Sequence, residues 1–403
     1  MLKKFFALIY IFTSLVLGNG AIPTAISKIF LVTAAVPYIM PGSKTFSVLK
    51  PYFLWCMSFV ILCWLSLYWA YDRATGMNLV TTVTFVYICN IALSALIINS
   101  NKPVIYWLKI FMYFSIFMSV LYLLQHGINY GEDVSRSNSD INANTIGMVS
   151  GISCSLAIYF YKFDTKLKKK YLMLILAGLF MFVILITASK KAFLFPFAIY
   201  SIFKLISGKD KQLIFNIIVI FIVSALALWA ILNIPALYEM IGYRIDSMLN
   251  GFFGDEEDMD GSTHTRMILI ELGMMVFPDR PLLGHGVCNF IAIYHSYFPE
   301  KYAVYAHNNY IELMVDLGVV GLVLYYIFYL YLIIKLYILA KRDNDSMAML
   351  LLSVVVTLVF IHYGFVAFYS PFNNIVLTIA TCYALVKSNI SKQLLWELKR
   401  KKY

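Results

Sequence analysis

The chain has 403 residues, of which 61% are hydrophobic and only 13% charged, with a mean hydropathy of +0.79. A soluble domain of this length carries roughly twice that charged fraction, so composition excludes an ordinary soluble enzyme and points to a chain solvated largely by lipid. The formal charge of +11 invites a nucleic-acid partner, but the placement of the cations argues against one.

The apolar residues fall into blocks of about 17 to 25, the length that crosses ~30 Å of hydrocarbon as a helix. Lipid imposes that conformation, because every backbone polar group there must be satisfied within the segment or in a closed barrel. The alternating short segments of a barrel are not visible. In chain order the expected spans are 5–19, 21–40, 52–71, 79–98, 104–125, 143–162, 171–188, 192–207, 213–234, 308–339, 346–366 and 370–387. The first follows Lys3 and Lys4 and has the look of a signal peptide. It lacks a small-x-small cleavage site and runs straight into another span, so it is kept as a helix. The expected fold is therefore all-α, a polytopic membrane protein of about 12 helices with one long ordered loop on the outer face. Three regions are expected: an N-terminal transmembrane bundle of about 9 helices over 1–234, an outer-face loop with interfacial helices over 235–307, and C-terminal helices with a basic tail over 308–403.

Orientation follows from the charges. One side collects Lys3, Lys4, Lys44, Lys50, Lys102, the run Lys162–Lys170, Lys204, Lys209, Lys211, Lys341, Arg342 and the basic tail from Lys399. The other side holds Asp72, Glu132, Asp133, Asp140 and ten carboxylates between Glu239 and Glu300. The positive-inside rule puts both termini in the cytoplasm, with anionic headgroups aiding retention. Five of the six cysteines lie within spans and Cys288 lies in the outer loop; no CxxC pattern suggests a metal or a disulfide framework.

Two outer segments break the hydrophobic rhythm. The shorter, about 126–142, leads into a helix through Asn142, Ala143 and Asn144. The longer, about 235–307, exceeds an ordinary connection. It contains an acidic stretch at 254–262, then THTRMILIELGMMVF, an apolar helix too short to span and suited to the interface, and then the Gly-rich turn PLLGHGVCNF.

Cations on the outer side run against the topology bias and suggest an anion to be bound. They are Lys190 and Lys191 after the seventh span, with Arg244, Arg266 and Arg280 in the long loop. Snorkelling to headgroups is the plain alternative, most of all for Arg280 and Lys301. His307 opens a helix whose next turns carry Glu312 and Asp316, so an imidazole suited to accept a hydroxyl proton at neutral pH stands near carboxylates. A capping role serves His307 equally well on spacing alone. Histidine spacing in the loop fits no zinc motif, so no metal is expected. Asn308 and the Asn142/Asn144 pair suit either sugar hydroxyls or helix caps. Gly318 and Gly321 read as a small-xx-small step against another helix.

The stretch from His307 to Gly321 resembles the signature of the O-antigen ligase and polymerase superfamily: His, Asn, nine residues, Gly, two residues, Gly, here His307, Asn308, Gly318 and Gly321. Arg266 followed by PLLGHGVCNF is similar to the family's upstream arginine and Pro-Leu-x-Gly-x-Gly turn, and Asn142-Ala143-Asn144-x-x-Gly147 to a further family feature. Where the family commonly has Ser-Arg at the outer end of a mid-chain helix, this chain has Ser189-Lys190-Lys191, which keeps the charge and loses the planar fork. The resemblance implies glycosyl transfer from undecaprenyl-diphosphate-linked oligosaccharide at the outer face of a bacterial cytoplasmic membrane. It implies His307 and Arg266 as catalytic residues, Lys190, Lys191, Arg244 and Arg266 as diphosphate ligands, and Asn142, Asn144, Asn308 and Glu312 as glycan contacts. No cofactor is implied; the partners are the lipid-linked glycan, membrane lipids and, as a further candidate, a chain-length regulator. The implied activity is polymerisation of repeat units, with ligation to lipid A–core as the alternative. A flippase is a third reading, weakened by the lack of a 6+6 repeat and by polar exceptions confined to helix ends.

Overall fold

The computed structural model of the protein describes residues 2–17, 22–100, 102–126, 142–164, 170–208, 210–243, 245–246 and 261–400. Arg244, most of the outer segment at 126–142 and nearly all of the acidic stretch at 254–262 lie outside the described residues.

The described elements are helices, with no strand among them. In chain order they are α1 (Leu2–Val16), α2 (Ile22–Ile39), α3 (Lys44–Ser66), α4 (Arg73–Ile98), α5 (Val104–His126), α6 (Ala143–Phe163), α7 (Lys170–Thr187), α8 (Lys190–Ser207) and α9 (Asp210–Asn233). The two loop helices α10 (Gly261–Val276) and α11 (Asn289–Tyr297) follow, then α12 (Asn309–Arg342), α13 (Ser346–Ile361) and α14 (Pro371–Arg400). A helix overlaps each of the twelve segments expected to span, with α3 ending at Ser66, short of the expected 71. Eight helical stretches among the described residues are long and apolar enough to cross a membrane: α2 to α7, α12, and α13 with the turn after it. α1, with 15 residues, falls short of the ~20 that a span needs, and α8 carries Lys190, Lys191 and Lys204.

Polar residues set where these helices begin. An N-terminal turn leaves backbone N–H groups without intrahelical partners, and a short polar side chain just ahead of it satisfies them. Ser43 accepts from Phe46 N (3.0 Å) ahead of α3, and Asp72 accepts from Ala74 N (2.9 Å) and Thr75 Oγ1 (2.6 Å) ahead of α4. The hydroxyl of Thr75 and the backbone N–H groups hold the Asp72 carboxyl below its usual pKa.

Contacts gather the chain into two compact units, neither continuous in sequence. One comprises Met1–Trp107, Thr265–Asp343 and Leu358–Tyr403; the other comprises Leu108–His264 and Asn344–Thr357. In the first, α3, α4, α12 and α14 close around aromatic side chains, with Trp55 stacked on Phe328 (4.6 Å between centroids) and Phe59 on Tyr87 (5.3 Å). Buried polar tips find partners, as they must away from water: Trp55 Nε1 donates to Leu324 O (2.8 Å) and Tyr52 Oη pairs with Thr378 Oγ1 (2.9 Å). In the second unit α8 lies close along α6 because Gly151 leaves room; a Cβ there would stand 2.7 Å from Phe195 Cβ.

The long loop, where described, is a packed element. Leu269, Leu272 and Val276 of α10 meet Phe290, Ile293 and Tyr294 of α11 and Ile311 and Val315 of α12 in one apolar cluster. The segment expected to lie along the interface thus buries its apolar stripe against protein, as a helix with such a stripe must do against some apolar partner.

Candidate functional site

α12 is broken at Gly318, whose φ of +66° and ψ of −168° fall in a region open essentially to glycine. The break frees backbone groups that a continuous helix would pair internally, and the turn after Pro281 takes them up. His285 N and Gly286 N donate to Val315 O and Asp316 O (2.8 Å each), while Val319 N donates to Pro281 O (2.9 Å) and Val320 N to Leu282 O (3.2 Å). A Cβ on Gly318 would stand 2.2 Å from Leu282 O, and one on Gly284 would stand 2.5 Å from Asp316 O. The glycine of the signature therefore admits a loop backbone, where the sequence pattern suggested a neighbouring helix.

Asp316 completes the joint. It is fully buried, its Oδ2 accepting from Cys288 N (2.6 Å) and its Oδ1 from Phe290 N (2.8 Å), which caps α11. Cys288 adopts a left-handed φ of +62° at that turn, and burial pushes its thiol pKa well up. Glu312 is likewise fully buried, and its Oε2 accepts from Ala306 N (2.6 Å). Neither carboxylate meets a solvent-filled surface; both hold backbone. For Glu312 this bond is a support directly ahead of His307, and its sugar contact stays a proposal. Glu312→Gln keeps an acceptor for Ala306 and is expected to retain glycan transfer, whereas Glu312→Ala leaves a buried N–H orphaned at ~1–3 kcal/mol and is expected to lower transfer about tenfold. Equal loss in both variants, in the same transfer assay, would favour the sugar-contact role.

His307 is half-buried with φ +52°, an uncommon backbone conformation for residues other than glycine. Its ring lies 4.0 Å, centroid to centroid, from that of Tyr305. Burial and the charge of Glu312 raise the Tyr305 hydroxyl pKa while Arg266 pulls it down, so the guanidinium is within electrostatic reach of that ring. Tyr305 and His307 thus form a pair in the first unit, and Arg266 is half-buried on α10 of the same unit. Asn308 is 3% exposed and spends its side-chain oxygen on Tyr310 N (2.9 Å) and Ile311 N (3.3 Å), so it is the cap of α12. Arg280 donates to Trp69 O (2.8 Å), a structural bond.

The second unit holds the other expected residues. Asn142 is exposed and caps α6 through Asn144 N (2.9 Å) and Thr145 N (3.2 Å). Asn144 Oδ1 accepts from Ser189 Oγ (2.8 Å), and Ser189 in turn caps α8 through Ala192 N (3.4 Å). The two motifs, Asn-Ala-Asn and Ser-Lys-Lys, are therefore joined. Ala188 between α7 and α8 has φ +43°, and Gly147 admits the turn, since a Cβ there would stand 2.9 Å from Thr187 Oγ1. Lys190 and Lys191 are half-buried, and Lys190 Nζ reaches Thr263 Oγ1 (3.4 Å).

Sequence reasoning missed a buried polar chain beneath the start of α12. Asn309 accepts from Ala367 N (2.7 Å) and donates to Tyr326 Oη (2.9 Å). Tyr326 meets His362 Nδ1 (3.1 Å), His362 Nε2 meets Asn373 Oδ1 (3.1 Å), and Asn373 donates to Tyr329 Oη (3.0 Å). The signal was the presence of His362, Asn373 and two tyrosines inside otherwise apolar spans, where polar groups persist only when paired.

Together these features define a polytopic, all-helical membrane protein with a packed polar segment presenting an arginine, a tyrosine and a histidine. Residues 171–326 match the family model described as O-antigen ligase, a stretch that includes Lys190, Lys191, Arg266, His307, Gly318 and Gly321. Over this stretch the chain is similar to the O-antigen ligase and polymerase superfamily. No curated protein matches the chain.

Proposed function

We propose that the protein polymerises undecaprenyl-diphosphate-linked oligosaccharide repeat units at the outer face of the cytoplasmic membrane, both termini being cytoplasmic and about twelve helices spanning. The observation that supports it best is the His307 ring lying against that of Tyr305 on a backbone held by Glu312. An acceptor hydroxyl oxygen attacks the anomeric carbon of the donor sugar and its proton passes to His307. The bond from that carbon to the diphosphate oxygen breaks, and its electron pair leaves with undecaprenyl diphosphate. Negative charge grows on that leaving oxygen, and a cation aimed there stabilises the transition state more than the ground state. Arg266 serves that role, with Lys190, Lys191 and Arg244 as further diphosphate ligands; a lysine acts as a point charge, without the bidentate grip of arginine. Asn142 and Asn144 remain the candidates for glycan hydroxyls, Asn142 being exposed beyond its capping bonds.

The test is the surface-glycan ladder of a strain lacking the protein. A core carrying one repeat unit, with the ladder restored by the wild-type chain, is the expected result. Bare core with long glycan accumulating on the lipid carrier outside would make the protein a ligase. Glycan trapped on the cytoplasmic side would overturn both in favour of a flippase.

A further inference from the structure

Within the first unit an open cleft of about 320 Å3 lies where the α3–α4 connection, the end of α10 and α11 come together. Its size falls in the range of small-ligand sites, ~300–1,000 Å3. Val276 and Ile293, both buried, supply apolar floor, while Tyr71 and Tyr297 stand on its walls, 58% and 54% exposed. Asp279, His285 and Ser296 supply polar groups. The walls are fixed to one another: Tyr71 N donates to His285 O (2.8 Å), Trp69 Nε1 to Leu283 O (3.2 Å) and Arg280 Nη1 to Trp69 O (2.8 Å). Such a cleft is preorganised, so a ligand need not order it on binding.

The chemistry of the lining selects the ligand. Asp279 accepts hydrogen bonds and gives none when ionised. Ser296 already spends its hydroxyl hydrogen on Ile293 O (2.7 Å), so it too is left as an acceptor. Burial lowers the His285 pKa and keeps the ring neutral, with one nitrogen donating and one accepting. An acceptor-rich wall suits a ligand that brings many O–H donors, and the Asp279 charge repels phosphate. Tyrosine offers a flat apolar face with a polar tip, which matches a pyranose with its C–H face and equatorial hydroxyls. A diphosphate, a nucleotide or a lipid tail fits this lining poorly.

We propose that this cleft is a glycan subsite, binding sugars of the acceptor away from the bond being made. The proposal rests on the transferase reading above. Val276 lies ten residues beyond Arg266 on the same helix, ~15 Å at 1.5 Å per residue, so a ligand filling both places must be an oligosaccharide and not a single sugar. Binding energy gathered at such a distance helps hold the acceptor for reaction at the near end.

The experiment uses the full chain in nanodiscs, comparing wild type with Tyr297→Ala and Asp279→Asn, two exposed substitutions. Transfer is measured against acceptor concentration, and saturation-transfer NMR follows oligosaccharides released by mild acid from the parent strain's surface glycan. The expected result is an acceptor KM raised about tenfold in either variant, the worth of one stacking or hydrogen-bonding contact, with a larger change in KM than in kcat and loss of the NMR signal. Variants that match wild type in both KM and NMR signal, in a wild type that transfers, overturn the subsite and leave the transferase reading standing. A wild type that transfers no glycan overturns the transferase reading and the subsite with it.

Discussion

His307→Ala is expected to lower glycan transfer by ~10²–10⁴-fold, the contribution of a positioned general base, while the protein still folds and accumulates. The partner variant is His307→Asn. Asparagine tolerates the left-handed backbone that His307 adopts at φ +52°, so it keeps the turn and removes only the proton acceptor. Loss in both variants, with melting temperatures near wild type, supports proton transfer by the imidazole. Activity retained in His307→Asn would show that the turn, and not the ring, is what the reaction needs. Arg266→Ala belongs to the same experiment as the proposed cation; its removal acts on the leaving group, so its effect should shrink if the diphosphate is replaced by a better leaving group, whereas that of His307 should not.

Gly318→Ala is expected to have the largest effect on stability. The added Cβ would stand 2.2 Å from Leu282 O, and the backbone at φ +66°, ψ −168° is closed to alanine at a cost of ~1–3 kcal/mol before any clash. Overpacking adds ~1–3 kcal/mol, so several kcal/mol in total set the expected loss. Thermal unfolding in detergent and the amount of monodisperse protein after size exclusion are the readouts. A melting temperature equal to wild type would mean that α12 runs unbroken through Gly318 and that the turn after Pro281 is held otherwise.

Hydropathy alone located the helices, because a segment that must satisfy its own backbone in lipid leaves a long apolar block in the sequence. The capping reading left open for Asn308 and Asn142 matches the starts of α12 and α6, since a cap needs a particular side chain at a particular place. Burial was harder to read. Glu312 and Asp316 look like surface carboxylates one turn apart, yet each serves backbone N–H groups outside its own helix, Ala306 just ahead of it in one case and Cys288 and Phe290 of a more distant loop in the other. No periodicity records such a pairing. Gly318 was legible as a position that needs a small residue, but whether helix or loop approaches depends on a backbone break that spacing does not encode. Tyr305 carries no motif at all and becomes visible only through the tilted ring contact it makes with His307.

The buried polar chain through Asn309, Tyr326, His362, Asn373 and Tyr329 constrains how this sequence is free to drift. Each member donates to or accepts from the next, so a change at one leaves an orphaned group at its neighbour, a loss that a second change can repair. Substitutions along the chain are therefore expected to arrive in sets, His362 with Asn373 or Tyr326 and seldom alone. Among relatives of this protein, the identity at one of these five positions should foretell the others more sharply than it foretells the sugars they handle.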